Sequence, residues 1–253
     1  MSEQSRSSHA LVTGGGSGIG RATAAALSRA GATVTVLGRN RAALEEVVAA
    51  GFAHFVAVAD VADQAAVDAA AIAVAARQPV DLLVANAGAA ESAPFAKSDA
   101  ALFRRMIDVN FFGLVHTAQA VLPSMKARGR GRIVAVASTA GLKGYAYVSA
   151  YAAAKHAVVG LVRSLALELA TSGITVNAVC PGFTDTNLLT ASIDTIMRKT
   201  KRSRDEALAE LAKHNPQRRL VTPAEVADTV LWLCGDGAGA ITGQAIAVAG
   251  GEI

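Results

Sequence analysis

Strict alternation between two kinds of segment limits this fold more than any other feature of the chain. Short apolar runs recur at residues 10–13 (ALVT), 33–37 (TVTVL), 54–58 (HFVAV), 81–85 (DLLVA), 132–138 (RIVAVAS), 174–180 (ITVNAVC) and 245–249 (AIAVA). Several are unbroken stretches of Val, Ile, Leu and Ala, the pattern of strands covered on both faces. Between them stand helical patterns: residues 19–30, stopped by Gly31; 41–50, stopped by Gly51; 63–77, opening on an acid and ending before Pro79; and two long ones near 114–128 and 149–171. Glycine just past the last periodic residue is a helix stop. Thr222-Pro223-Ala224-Glu225 supplies a cap, a first-turn proline and an early acid ahead of a last helix. Unbroken β-α succession predicts an α/β fold, a doubly wound parallel sheet of about seven strands with helices on both faces.

The 253 residues suffice for one large domain or two small ones. Connections are short, and neither a linker nor a repeat is present, which favours one domain spanning residues 1–253. The exception is a long, polar, helical segment at about 187–220, between the sixth and seventh strands. Ligands of an open α/β sheet bind beyond the carboxyl ends of its strands, so an insertion there would form a lid or a substrate wall.

Composition narrows the partners. Charged residues are 17% of the chain, too few for a disordered polypeptide, and aromatics only 4%, so packing relies on small side chains. Cys180 and Cys234 lie far apart in apolar settings and match no metal spacing; they read as reduced core residues of a cytoplasmic protein, with no metal expected. The polar opening MSEQSRSSHA lacks the apolar core of a signal peptide, and no apolar run is long enough for a membrane span. The net charge is +4, yet zinc-finger spacing, interleaved aromatic and basic residues, and a basic tail are all missing, so no nucleic-acid partner is expected. An anionic small molecule suits the same charge.

The first strand runs into Thr13-Gly14-Gly15-Gly16-Ser17-Gly18-Ile19-Gly20. Glycines let the backbone turn tightly and approach a pyrophosphate, whose charge then sits at a helix N-terminus. The spacing Gly14, Gly18, Gly20 is not G-x-G-x-x-G, but its place after a first strand, before a helix without lysine, favours a dinucleotide over a P-loop nucleotide. The second strand ends Val36-Leu37-Gly38-Arg39-Asn40, where an acid would contact the ribose hydroxyls of NAD. Arg39 could instead pair with a 2′-phosphate, so NADP(H) is favoured, with NAD(H) possible; alternatively Arg39 is a solvated loop residue. Asp60-Val61 and Asn86-Ala87-Gly88 follow the third and fourth strands and would line the same sheet edge.

Tyr151 and Lys155 stand four apart and share a helix face. A free tyrosine, with pKa near 10, is a poor acid–base group at neutral pH. A nearby ammonium would stabilise its phenolate, and Ser138 could hold the same substrate oxygen. This suits hydride transfer at a carbonyl. Taken alone, Tyr-x-x-x-Lys is a common surface pair.

Together these pieces resemble the short-chain dehydrogenase/reductases, a Rossmann-type family, over essentially the whole chain. The matching residues are TGGGSGIG (13–20), DV (60–61), NAG (86–88), Asn110 of VNFFG, Ser138, YAAAK (151–155) and PGFTDT (181–186), in the family's order and spacing. The resemblance implies that Tyr151 is the general acid–base, that Lys155 lowers its pKa and holds the nicotinamide ribose, and that Ser138 polarises the carbonyl. It implies that Asn110 shapes a helix and holds a water in a proton relay. Gly14, Gly16, Ser17, Gly18, Ile19 and Gly20 would hold the pyrophosphate. Asp60 with Val61 would meet the adenine, Asn86, Ala87 and Gly88 the adenosine ribose region, and Pro181, Gly182, Thr184 and Thr186 the nicotinamide end. Tyr145 and Tyr147, without a lysine four residues on, read as pocket or packing residues. Ala137 replaces the serine usual before the catalytic one, which should not affect the chemistry.

The overall look is similar to the family's 3-oxoacyl reductases and 3-hydroxyacyl-CoA dehydrogenases, which implies a carbonyl or hydroxyacyl small-molecule substrate. Arg198, Lys199, Lys201, Arg202 and Arg204 in the insertion, and Lys126, Arg128, Arg130 and Arg132 before the fifth strand, are either solvated charge or docking sites for substrate phosphates. Three functions stay open: an NADP(H)-preferring 3-oxoacyl-thioester reductase, a dehydrogenase of small or alicyclic alcohols, or a non-catalytic dinucleotide sensor. The family also implies a homotetramer, and Ala153, Ala157, Gly160 and Leu161 would permit close helix contact.

Overall fold

The computed structural model describes residues 8–186, 189, 190, 193, 197 and 203–253. Seven strands form one parallel sheet: β1 (His9–Thr13), β2 (Thr33–Gly38), β3 (Phe55–Val58), β4 (Leu82–Ala85), β5 (Gly131–Val136), β6 (Ile174–Pro181) and β7 (Ala245–Val248). Their order is β3-β2-β1-β4-β5-β6-β7. The expected strands match to within about two residues. Ser138 falls outside β5, whose last residue is Val136.

The side-chain period of two sorts each strand between two cores. Leu11, Leu83, Ala85, Ile133 and Ala135 face one core, completed by α3 (Gln64–Ala75), α5 (Gly113–Arg128) and α6 (Ser149–Glu168). Their neighbours Ala10, Val12, Leu82, Val84, Val134 and Val136 face the other, completed by α1 (Gly18–Arg29), α2 (Arg41–Ala49) and α8 (Pro223–Cys234). Two buried faces explain why the strands read as continuous apolar runs.

Caps follow local chemistry. Asn40, Asp63 and Asp99 accept from backbone N–H groups at the starts of α2, α3 and α4 (Ala100–Ile107). Thr222 and Glu225 form a reciprocal capping box on α8. Helix α4 was not expected. A single π turn, Asp108–Phe112, joins it to α5.

Strand order reverses between β1 and β4, because the chain builds outward to β3 and then returns to the other side of β1. Such a reversal opens a crevice at the carboxyl ends. The polar insertion leaves from the same edge, after β6. Its two ends are pinned together: Val221 N donates to Phe183 O at 2.9 Å and Asp185 N to Val221 O at 3.0 Å. Leu189, Ile193, Ala207 and Leu211 give the insertion a small core of its own, the last two from α7 (Arg204–Ala212).

The basic run before β5 does not reach this edge, which corrects its reading as a phosphate dock. It lies at the amino ends of the strands, because it precedes a strand. Arg128 and Arg130 close on the buried carboxylate of Asp81 at 3.2 and 3.1 Å, and Lys126 pairs with Glu168 at 3.6 Å. Of the insertion's basic residues, Arg198, Lys199, Lys201 and Arg202 lie outside the described residues; Arg204 opens α7.

Candidate active site

The crevice is assembled around Thr13, the last residue of β1. Its buried hydroxyl accepts from Asn86 N and Ala87 N, both at 3.0 Å. The Asn86 side chain donates in return to Thr13 O at 3.0 Å and Gly14 O at 3.2 Å. These bonds lock the loop after β4 to the loop after β1. Asn86 therefore supports the glycine-rich turn with its amide, and Thr13, missed among the expected site residues, is the hub.

The turn itself needs its glycines at two points. Gly14 has φ +64°, and a Cβ there would stand 2.9 Å from the Ala87 Cα. At Gly20 a Cβ would stand 2.2 Å from Gly14 O. Ser17 precedes α1 in extended conformation, but its side chain caps nothing. The first N–H groups of α1 are thus left to an outside acceptor, and its first turn carries no acid. This end of the helix fits a pyrophosphate. Gly18 touches the opposite wall, where a Cβ would lie 3.0 Å from Thr186 Cγ2. Residues 14–20 and Thr186 therefore face each other across the crevice.

Arg39 and Asp60 extend from neighbouring strands and pair at 3.6 Å; both side chains are exposed. Such a pair is weak and readily exchanged. Asp60 also accepts from Ala62 N at 3.0 Å, so its carboxylate is held beside Val61, while the Arg39 side chain is exposed. Thr184 donates to Gly182 O at 2.9 Å, fixing the turn after Pro181.

The π turn places Asn110. Within this widened turn Asn110 Nδ2 donates to Met106 O at 2.9 Å. Nδ2 also donates to Ala89 O at 2.9 Å, and Oδ1 accepts from Ala89 N at 3.3 Å. Gly88 fills the space between this amide and the lysine: a Cβ there would meet Asn110 Oδ1 at 2.7 Å and Lys155 Nζ at 3.6 Å.

Tyr151 and Lys155 project from the first turns of α6 into a buried corner. Lys155 Nζ donates to Val136 O at 2.9 Å and lies 5.7 Å from the Tyr151 ring centre. Ser138, in the extended link after β5, accepts from Ala140 N at 3.1 Å and hydrogen-bonds the Tyr151 side chain. Cys180 closes the corner from β6. Burial pushes Lys155 down to about 8, opposed by Cys180. Burial pushes the Tyr151 phenol up, the Ser138 hydrogen bond pulling against it. Withdrawal from water outweighs the Ser138 bond at Tyr151, and the Lys155 ammonium faces the Val136 carbonyl and the Tyr151 ring. The reading of Tyr147 is corrected. It is 67% exposed, at φ +68°, and neither packs nor lines this corner.

A family model for short chain dehydrogenase matches residues 8–196. The chain belongs to that family. The short-chain dehydrogenase chain is 39% identical to a putative ketoacyl reductase of Streptomyces coelicolor, over 96% of this chain and 95% of that protein. It is 40% identical to cis-4-hydroxycyclohexanecarboxylate dehydrogenase of Sinomonas cyclohexanicum, over 96% and 95%. Among solved structures, a singly substituted actinorhodin polyketide ketoreductase with NADPH matches with a TM-score of 0.93 at 38% identity, covering 98% of both chains. Levodione reductase matches with 0.91 at 33%, covering 97% of both. The short-chain dehydrogenase is thus an NAD(P)-dependent oxidoreductase acting between carbonyls and alcohols. Among the described residues, no helix is long and apolar enough to cross a membrane.

Proposed function

We propose that the enzyme interconverts a ketone and a secondary alcohol, with Tyr151 passing the proton. The observation that carries this reading is the meeting of half-buried Ser138 and Tyr151 with buried Lys155 beyond the carboxyl ends of β5 and β6. In the direction of reduction, Ser138 donates a hydrogen bond to the substrate oxygen and orients it. The Tyr151 hydroxyl then gives its proton to that oxygen as charge develops there. The Lys155 ammonium stabilises the resulting phenolate, which a tyrosine half withdrawn from water could not otherwise sustain. Asn110 holds the Ala89 backbone and the helix beneath, and keeps Gly88 against Lys155 as the start of a proton path. When bound, the nicotinamide supplies hydride to the carbon or takes it away. Gly14, Gly16, Ser17, Gly18, Ile19 and Gly20 would hold its pyrophosphate, Asp60, Val61, Asn86, Ala87 and Gly88 its adenosine half, and Pro181, Gly182, Thr184 and Thr186 its nicotinamide half.

NADP(H) is the preferred cofactor in this reading. Gly38 leaves no carboxylate to repel a 2′-phosphate, and the exposed Arg39 guanidinium can pair with one. The substrate is a 3-oxoacyl thioester, supported by similarity to ketoacyl reductases. An alicyclic alcohol is the second reading, supported by similarity to the hydroxycyclohexanecarboxylate enzyme. The insertion serves as substrate wall. The enzyme works as a homotetramer through α6, where Ala153 and Gly160 are exposed and a Cβ at Gly160 would meet nothing within 4 Å. Cofactor-dependent turnover of acetoacetyl-CoA, longer 3-oxoacyl-CoAs and simple cyclic ketones tests the function. The thioesters should turn over best with NADPH and lose more to added salt. Exclusive turnover of cyclic ketones would select the second reading, and no turnover of any carbonyl would reject both.

A further inference from the structure

A buried carboxylate at the end of the chain stands outside every role assigned so far. Gly250 and Gly251, at φ +60° and +93°, turn the segment after β7 back under the β6 loop, and Glu252 N donates to Ala249 O at 3.2 Å. The turn is tight, since a Cβ on Gly250 would stand 2.0 Å from Asn215 Oδ1. The Glu252 side chain is only 2% exposed. Its Oε1 accepts from the Tyr145 hydroxyl at 2.5 Å and pairs with Lys143 Nζ at 3.1 Å, and His214 Nδ1 lies 4.0 Å away. Among the described residues, Oε2 has no hydrogen-bond partner; a Cβ on Gly182 would stand 3.2 Å from it.

What the carboxylate holds adjoins the loop that carries Ser138. Tyr145 meets Thr139, the neighbour of Ser138, at 2.7 Å. Its ring stands edge-on to Phe183 at 6.1 Å and to His214 at 5.8 Å, and Phe183 and His214 are 5.3 Å apart. These rings come from the loop after β5, the loop after β6 and the far end of the insertion. Tyr145 is close enough to Tyr151 for the two phenols to interact electrostatically. A carboxylate oxygen accepts hydrogen bonds, so Glu252 Oε1 fixes the Tyr145 hydroxyl as a donor, while Lys143 Nζ stands over the ring, 5.1 Å from its centre.

We infer that Glu252 is a positioning residue for substrate recognition: it clamps Tyr145, and through it the Tyr145–Phe183–His214 wall beside Ser138. That wall selects a ketone with a flat or apolar group next to the carbonyl, because aromatic edges and faces bind such groups. The inference rests on the carbonyl-reductase reading above. Its test measures kcat and KM for a small acyclic ketone and a bulky cyclic ketone in wild type, Glu252→Ala, Glu252→Gln, Tyr145→Phe and the Ala/Phe double variant. A hydrogen bond to a charged group contributes ~1.5–3 kcal/mol, so KM for the bulky ketone should rise about tenfold or more in Glu252→Ala. The change should fall on KM rather than kcat, and Glu252→Gln should recover most of it. The double variant should be no worse than the worse single, because the two groups act as one unit. Additive losses, equal KM changes for both ketones, or no KM change would overturn the clamp. Tyr145→Phe removes one oxygen and keeps the ring, so it decides the matter even where Glu252→Ala fails to fold. If wild type turns over ketones and Tyr151→Phe does not, a flat KM across these variants refutes the clamp alone. A wild type inert toward every ketone refutes the reading beneath it as well.

Discussion

Thr13→Val should loosen the crevice more than its small change in volume suggests. Thr13 is 2% exposed, and its hydroxyl is the acceptor for both Asn86 N and Ala87 N. Valine keeps the shape and removes the acceptor. A buried donor left without a partner costs ~1–3 kcal/mol. Both N–H groups are only partly buried, so the lower end applies, and the pair should cost about 2–3 kcal/mol. For a chain of this size that lowers Tm by roughly 5–10 °C. The freed turn should also weaken cofactor binding, since Asn86 and Gly14 move together. Thr13→Ser is the control. It restores the acceptor and loses one methyl, worth about 0.8 kcal/mol. Thermal melts and cofactor titrations on the three proteins provide the readout. A Thr13→Val melt within about 2 °C of wild type, or a serine variant as unstable as valine, would refute the hub.

Other consequences follow from charge and burial. Arg39→Asp should shift the NADP-to-NAD ratio of kcat/KM by about one to two orders of magnitude toward NAD, because a charge-assisted contact becomes a repulsion; steady-state kinetics with both cofactors would check it. Lys155, lowered to about 8, loses its ammonium as pH rises through that value. The reduction kcat/KM should therefore decline above it, while the raised Tyr151 phenol stays protonated, and a profile flat to about pH 9.5 would contradict this. His9 is wholly buried between Gln78 O at 2.7 Å and Thr35 Oγ1 at 2.8 Å. Burial holds it below its usual 6.5, so the unfolded chain binds the proton more readily. The stability that neutral His9 contributes is full above 6.5 and is lost as pH falls below it, which denaturation midpoints across that range would measure.

The frame of this molecule is legible because its signals are local or periodic. Leu11, Leu83 and Ile133 alternate faces with their neighbours, and both faces are apolar, so each strand announces itself. Tyr151 and Lys155 are one helical turn apart, and the glycine-rich turn follows its strand directly. What stayed hidden depends on distant partners. Thr13 looks like any strand residue until β4 arrives 73 residues later with Asn86. Arg128 and Arg130 read equally as solvated charge or a phosphate dock until Asp81 gathers them at a separation no pattern encodes. No local pattern marks Glu252, and only the glycine turn carries it inside. Sequence reveals the lysine beside Tyr151 but not how far withdrawal from water opposes it at the phenol. Helix α4 has an apolar face in Leu102, Phe103, Met106 and Ile107, but it spans only two turns, and the π turn at Asn110 breaks the period before α5.

The central claim is that Tyr151 carries the proton. Stopped-flow measurement of NADPH oxidation by Tyr151→Phe, beside a fluorescence titration of NADPH, tests it most directly. Removing one phenolic oxygen should slow hydride transfer by about 10²–10⁴-fold with cofactor affinity kept. A variant that oxidises NADPH within about tenfold of the wild-type rate would contradict the account.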